Sequence, residues 1–189
     1  MKKIAIFASG SGSNFQAIVD YFKQENINID ICLLVCDRPH AKVIERAKKE
    51  GIASFVFSAQ DYIDKQAFEK EILKNLTRLK VDLIVLAGYM RLIGETLLEA
   101  YQDQIINLHP SLLPSFPGKD AINQAFDANV KVTGVTIHYV DEGMDTGPII
   151  AQEPVRIDND DTTETLTERI HKVEHQLYPK VIKDLLIEE

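Results

Sequence analysis

Apolar positions along the chain fall into two patterns that take turns. Short, continuous runs rich in Ile, Val, Leu and Phe ("KKIAIFAS", "IDICLLVCD", "ASFVFS", "VDLIVLAG") read as strands buried on both faces of a parallel sheet. Between them, "SNFQAIVDYFKQEN", "HAKVIERAKKEG" and "DKQAFEKEILKNLTRLK" place apolar residues at helical spacing. This repetition predicts an open α/β sheet with right-handed crossovers. Further on, "IINLHP" reads as a strand and "DAINQAFDAN" as a short helix. "VKVTGVTIHYV" and "GPIIAQEPVRI" alternate more and lack a joining helix, which predicts an antiparallel C-terminal extension of the sheet. A closing helix is expected from about Thr162 to Leu186, with Thr162 or Asp161 accepting from its first free amides. The expectation is a mostly parallel, twisted sheet of about seven strands with helices on both faces, in a single domain over residues 1–189. No linker, low-complexity tract or repeat interrupts it.

Composition narrows the function classes. An apolar fraction of 45% and a charged fraction of 26% are those of an ordinary globular protein. The net charge of −8 argues against nucleic acid or an anionic membrane surface as partner, so an anionic ligand must be held locally. No apolar run is long enough to span a bilayer, and "MKKIAIFASGSGSN" meets glycine too early for a signal peptide. Cys32 and Cys36 lie four apart in a strand, which places them on one face, too distant to bond, as buried free thiols. A reducing, cytoplasmic location is the expectation.

Two loops carry candidate chemistry. In "SGSGSN", Ser9 to Asn14, Gly10 and Gly12 permit a tight turn, and the amides of Ser13 and Asn14 open the first helix toward an anion. Phe15 stands where a dinucleotide fingerprint needs a third glycine, so a single phosphomonoester fits better, with a structural turn as the alternative. In "IINLHPSLLPSFPGKDAI", Asn107 and His109 are two apart at a strand's carboxyl end and project to one side, before three prolines break the strand. Of the prolines here, Leu113-Pro114 is the candidate for a cis bond, because the chain must turn sharply there; the sequence does not fix its state. The loop "DEGMDTGP" brings three carboxylates, one of which, near His109, would favour the imidazolium.

"SGSGSN", "VLAGYMRLI", "NLHPSLLPSFPG", "VTIHYVDEGMDTGPII" and "HKVEHQLYP" occur in the order and spacing of the phosphoribosylglycinamide formyltransferase family, which the chain resembles over essentially its whole length. Asn-x-His-Pro-Ser alone identifies the wider formyl-folate superfamily, and the opening loop narrows it. The resemblance implies a Rossmann-like formyltransferase fold, with a nucleotide-binding half over about 1–100 and a catalytic and folate half over about 101–189. It implies transfer of a formyl group from 10-formyltetrahydrofolate to 5'-phosphoribosylglycinamide in purine biosynthesis, without metal, by a monomer or homodimer. The implied catalytic trio is Asn107, His109 and Asp145, with Ser111 and His138 behind it. The nucleotide substrate would meet Gly12, Ser13 and Asn14 through its phosphate, and His171, Lys172, Val173 and Glu174 near its glycinamide end. The folate would lie between Met90, Arg91, Leu92 and Ile93 on one side and Asp141, Glu142, Gly143, Met144 and Asp145 on the other, with Asn107 beneath and Lys65 at its tail.

Rival readings remain beside this one. "HKVEH" matches the His-x-x-Glu-His pattern of a zinc peptidase family but lacks room downstream for a third ligand. A nucleotide sensor would explain the glycine loop but has no use for the trio. A formyltetrahydrofolate hydrolase, or a transferase acting on another amine, shares it.

Overall fold

The computed structural model describes residues 1–187. Strands β1 (Lys2–Phe7), β2 (Ile29–Cys36), β3 (Ser54–Val56), β4 (Leu83–Leu86), β5 (Ile105–His109), β6 (Val132–Tyr139) and β7 (Ile149–Arg156) form one seven-stranded sheet in the order β3-β2-β1-β4-β5-β6-β7. The first five run parallel; β6 is antiparallel to β5, and β7 to β6. The parallel sheet with an antiparallel extension is therefore the one the apolar pattern predicts.

Helices α1 (Ser13–Gln24), α2 (Lys42–Lys49), α3 (Lys65–Leu79), α5 (Ala121–Asp127) and α6 (Thr163–Leu186) fall where helical spacing put them. A further short helix, α4 (Glu95–Ala100), was not anticipated. Six residues are too few to display a period, and its cap comes from elsewhere: the buried Glu69 of α3 accepts the Gly94 amide at 2.7 Å. At α6 the cap is local. Thr162, not Asp161, accepts from the Thr165 amide, and the Thr165 hydroxyl accepts from the Thr162 amide in return.

Each face of the sheet has its own apolar layer. Ile4, Ile6, Leu34, Val85, Ile106 and Ile137 face α1, α2 and α6, while Ala5, Phe7, Val35, Ile84 and Ile105 face α3 and α4. Phe15, at the site of the missing third glycine, is fully buried in the first layer. Between Ile4 and Ala5 of β1 the partner in β2 jumps from Ile31 to Leu33, a bulge that leaves Cys32 as the extra residue. This corrects the expectation that Cys32 and Cys36 share a face. The inserted residue inverts the alternation, so Cys36 joins the first layer and Cys32 packs against the second. Both are free, Cys36 buried and Cys32 half-buried, and desolvation raises both thiols above the ordinary range.

The helices change face between β1 and β4, which makes the crevice between those strands' carboxyl ends the topological switch point. Across it the Ser9 amide donates to the Gly88 carbonyl at 3.0 Å, and the Ser9 hydroxyl accepts from the Met90 amide at 2.9 Å. The buried Tyr178 of α6 carries its hydroxyl to the Leu86 and Ile106 carbonyls, at 2.9 and 3.2 Å, fixing that helix against β4 and β5.

Candidate active site

Asn107 and His109 take the face of β5 opposite to the apolar Ile106 and Leu108. Directly across on β6 stand His138 and Thr136, their cross-strand partners. The second apolar layer takes no strand residue from β6 or β7, so here the sheet presents polar side chains to a cleft between two loops instead of to a helix.

The proline-rich turn forms the first wall. Leu113-Pro114, the candidate named from the sequence, is cis. Thr136 anchors the turn, donating its hydroxyl to the Ser111 carbonyl at 2.6 Å and accepting the Leu113 amide at 3.0 Å. Ser111, fully buried, donates to the Ser115 carbonyl at 2.6 Å. The result aims the Phe116 carbonyl at His109 Nε2, 2.9 Å away. A carbonyl can only accept, so Nε2 carries a proton.

The second wall is the loop after β6. Asp141 folds back on it, accepting from the Gly143 amide at 3.0 Å and the Thr146 hydroxyl at 2.6 Å. A Cβ on Gly147 would stand 1.8 Å from the Tyr139 carbonyl oxygen, so only glycine lets the loop close. Asp145, in the left-handed region at φ 57°, thereby meets the first wall. Its carboxylate accepts the Gly118 amide at 2.7 Å and lies 3.4 Å from His109 Nδ1 and 3.7 Å from His138 Nε2. Burial opposes its ionisation, but the Gly118 amide and the facing His109 outweigh burial and hold Asp145 below the ordinary carboxylate range. Of these contacts only the Gly118 amide is at hydrogen-bonding distance. His138 donates from Nδ1 to the Tyr139 carbonyl at 2.8 Å, which leaves Nε2 to accept the Asn107 amide at 3.2 Å in the neutral ring. The structure thus brings Asn107, His109, Asp145, Ser111 and His138 into one cluster.

The glycine loop makes a second centre nearby. Gly12, at φ 74°, is the N-cap of α1, and no side chain caps that helix. Asn14 donates to Glu174 at 3.0 Å, and His171 Nδ1 lies 2.8 Å from the same carboxylate oxygen. The Glu174 bond raises the His171 pKa against the opposing effect of burial, whereas burial lowers that of His175. The expected His171, Glu174 and Asn14 therefore converge; Lys172 points to solvent, and Val173 packs toward the first apolar layer. Among the described residues no group of three or more His, Cys, Asp or Glu side chains is arranged to hold a metal ion.

On the expected folate side, Met90, Leu92 and Met144 are exposed by 60%, 55% and 50%. Ile93 differs: it is buried in the second layer, because the chain turns into α4 there, and has only backbone to offer the cleft. Glu142 is exposed. Lys65 is exposed at the start of α3, with its Cε close to where a Gly94 Cβ would stand.

Sequence reasoning missed Asp37. It ends the β2 run, is buried, and accepts from Ser9 Oγ at 2.5 Å and from Arg91 Nε at 2.7 Å, joining the glycine loop to the 88–94 loop. An acidic residue just past the second strand of a doubly wound sheet was the available signal.

This open sheet, with a polar cleft at the end of β5 and an uncapped glycine loop at its switch point, has the architecture of a group-transfer enzyme, and the chain belongs to the formyl transferase family, matching it over residues 2–182. It is 62% identical over 186 residues to the phosphoribosylglycinamide formyltransferase of Bacillus subtilis (strain 168), covering 98% of this chain and 95% of that one. Among solved structures, glycinamide ribonucleotide transformylase 1 from Geobacillus kaustophilus superposes with a TM-score of 0.96 at 62% identity, covering 99% of this chain and 100% of that one. The phosphoribosylglycinamide formyltransferase from Bacillus halodurans gives a TM-score of 0.95 at 55% identity, covering 99% and 96%. No helix among the described residues is long and apolar enough to cross a membrane.

Proposed function

We propose that the chain transfers the formyl group of 10-formyltetrahydrofolate to the amine of 5'-phosphoribosylglycinamide, as a cytoplasmic enzyme of purine biosynthesis that needs no metal. The observation that carries this reading is the clustering of Asn107, His109 and Asp145 around His138 at the carboxyl end of β5, with an uncapped helix start at the glycine loop.

Attack of the amine on the formyl carbon makes a tetrahedral oxyanion, and donors held in place before the reaction stabilise it most. Both nitrogens of His109 face acceptors, Phe116 O and Asp145, and only the imidazolium satisfies both. Its Nδ1 contact of 3.4 Å is longer than a formed hydrogen bond, so that N–H is the one free to turn to an oxyanion. Asn107 spends one amide hydrogen on His138 and has a second to offer. Asp145 keeps the imidazolium charged and, through water, accepts the proton lost by the attacking nitrogen. Collapse of the intermediate breaks the bond to the folate nitrogen, which takes up a proton, so the overall exchange is balanced.

The phosphate is assigned to the amides of Gly12, Ser13 and Asn14 at the start of α1, where the helix dipole favours an anion. The glycinamide end is assigned to Glu174 and His171, where Asn14 Oδ1 is buried without a partner among the described residues. Met90, Leu92 and Met144 supply apolar cover for the pterin, and backbone groups of residues 90–93 and 141–145 read its edge.

The test is incubation with 10-formyltetrahydrofolate and either the glycinamide ribonucleotide or water. Formylation that requires the amine supports the proposal. Equal turnover in water alone would move the chain to the hydrolases.

A further inference from the structure

The 88–94 loop, which joins β4 to α4, has little backbone bonding of its own. Among the described residues the amides of Tyr89 to Gly94 reach no backbone carbonyl, and two of them reach a side chain: Met90 donates to Ser9 Oγ at 2.9 Å and Gly94 to Glu69 Oε1 at 2.7 Å. Between these two anchors stand Arg91, Leu92 and Ile93, whose backbone groups the formyl-transfer reading assigns to the edge of the pterin. The position of that backbone is therefore set by side chains that arrive from elsewhere in the chain.

Glu69 is a costly anchor. It is only 2% exposed, on the face of α3 that also buries Phe68 and Ile72. Burial raises its pKa, against the Gly94 amide, the Lys65 charge and the Leu97 amide, which favour the carboxylate. An apolar side chain of similar shape would fill this layer at less cost. What a carboxylate adds is a fixed acceptor for two amides, one at the end of the loop and one in the first turn of α4. Gly94 fits the same contact. A Cβ there would stand 2.6 Å from Glu69 Oε2, while φ −97° and ψ 174° are open to any residue, so the approach of the carboxylate is what demands glycine. We infer that Glu69 is a positioning residue for the co-substrate: by holding the Gly94 amide, it sets where residues 90–93 present their backbone to the pterin. The inference rests on the formyl-transfer reading and adds to it a buried group that touches neither substrate.

The experiment measures kcat and both KM values for the wild-type chain, Glu69→Gln, Gly94→Ala and Lys65→Ala, with folding checked by circular dichroism. Glutamine keeps the size of Glu69 and removes its charge. Alanine at 94 displaces the carboxylate without altering any buried charge, and carries the test alone if Glu69→Gln does not fold. Lys65→Ala is the comparison, because the same Cβ would stand 2.9 Å from Lys65 Cε. In Glu69→Gln and Gly94→Ala we expect the KM for 10-formyltetrahydrofolate to rise about tenfold, the scale of one hydrogen bond to a charged group. The kcat and the KM for the glycinamide ribonucleotide should stay within about twofold, since Glu69 and Gly94 lie on the face of the sheet away from α1 and α6. Lys65→Ala should raise the folate KM by less. Unchanged KM values, equal rises for both substrates, or a rise in Lys65→Ala as large as in the other variants would overturn the proposal and leave the formyl-transfer reading intact. A wild-type chain without amine-dependent turnover would instead overturn that reading, and this inference with it.

Discussion

His109 has an acceptor on each side of its ring, and its environment is built by residues that never leave their own loops: Ser111 shapes the turn that presents Phe116, and Gly118 steadies Asp145. Replacing His109 by Ala removes the donor and not the scaffold. We expect turnover to fall by about 10²–10³ while the circular dichroism spectrum is unchanged, since loss of one oxyanion donor has that scale. Asp145→Asn keeps the shape and removes the charge. Asp145 is held below the ordinary carboxylate range, so the wild-type rate should hold down to about pH 4, the ordinary aspartate value, and decline only below it, and the variant should lose that acid limb; coincident pH profiles would count against a role for the charge. The His171 and Glu174 pair makes a prediction of opposite origin. The raised pKa of His171 means that its contribution to stability is complete below about 6.5, the ordinary histidine value, and is lost as pH rises through the raised one. Urea titrations across that interval should show the loss in the wild type and not in Glu174→Gln, and NMR should find His171 titrating at lower pH in the variant.

At the scale of elements, the sequence was legible where a period could establish itself. The strands and long helices of the parallel half, the antiparallel pair after them, and the cap at Thr162 all announce themselves in residue spacing. What was hidden depends on contacts between segments distant in sequence. The α4 cap arrives from Glu69 on another helix, the bulge at Cys32 exists only in the pairing of two strands, and Asp37 matters because Ser9 and Arg91 reach it. In the site, Asn107 and His109 were readable from strand alternation, and Asp145 as one of three loop carboxylates. The choice among the three was not local, because it rests on Asp141 turning inward to brace the loop and on Gly118 meeting Asp145. The glycine loop gives a test of the same distinction. A Cβ on Gly12 would lie 2.5 Å from Val43 Cγ2 and 3.0 Å from Val43 Cα, with φ already at 74°, whereas one on Gly10 would meet nothing within 4 Å. Gly12→Ala should therefore cost about 1–3 kcal/mol by urea unfolding, as backbone strain at such a position does, and Gly10→Ala should stay within about 0.5 kcal/mol of the wild type. Equal effects would mean that the α1–α2 approach is not what demands glycine.

Over the whole molecule, the strands before residue 100 and those after it belong to one sheet. Its strands pair without a break from β3 to β7, and the parallel and antiparallel parts meet at β5 and β6. Helix α6 closes the arrangement: it starts after β7, packs on α1 near the N-terminus, and places Tyr178 on the carbonyls of β4 and β5. Leu166, Ile170 and Ile182 of that helix lie in the same apolar layer as Ile4 and Ile6 of β1, so neither half retains a complete core if the other opens. We therefore expect one cooperative unfolding transition, with far-ultraviolet circular dichroism and tyrosine fluorescence superimposing in urea. Tyr178→Phe tests the coupling at its centre. It removes the one buried hydroxyl shared by two strand carbonyls and should lower stability by about 0.5–1.5 kcal/mol. If α6 belongs to the common core, that loss moves the midpoint of the single transition in both probes together. Separation of the variant's signal into two transitions would show that the β6, β7 and α6 portion folds as a unit of its own.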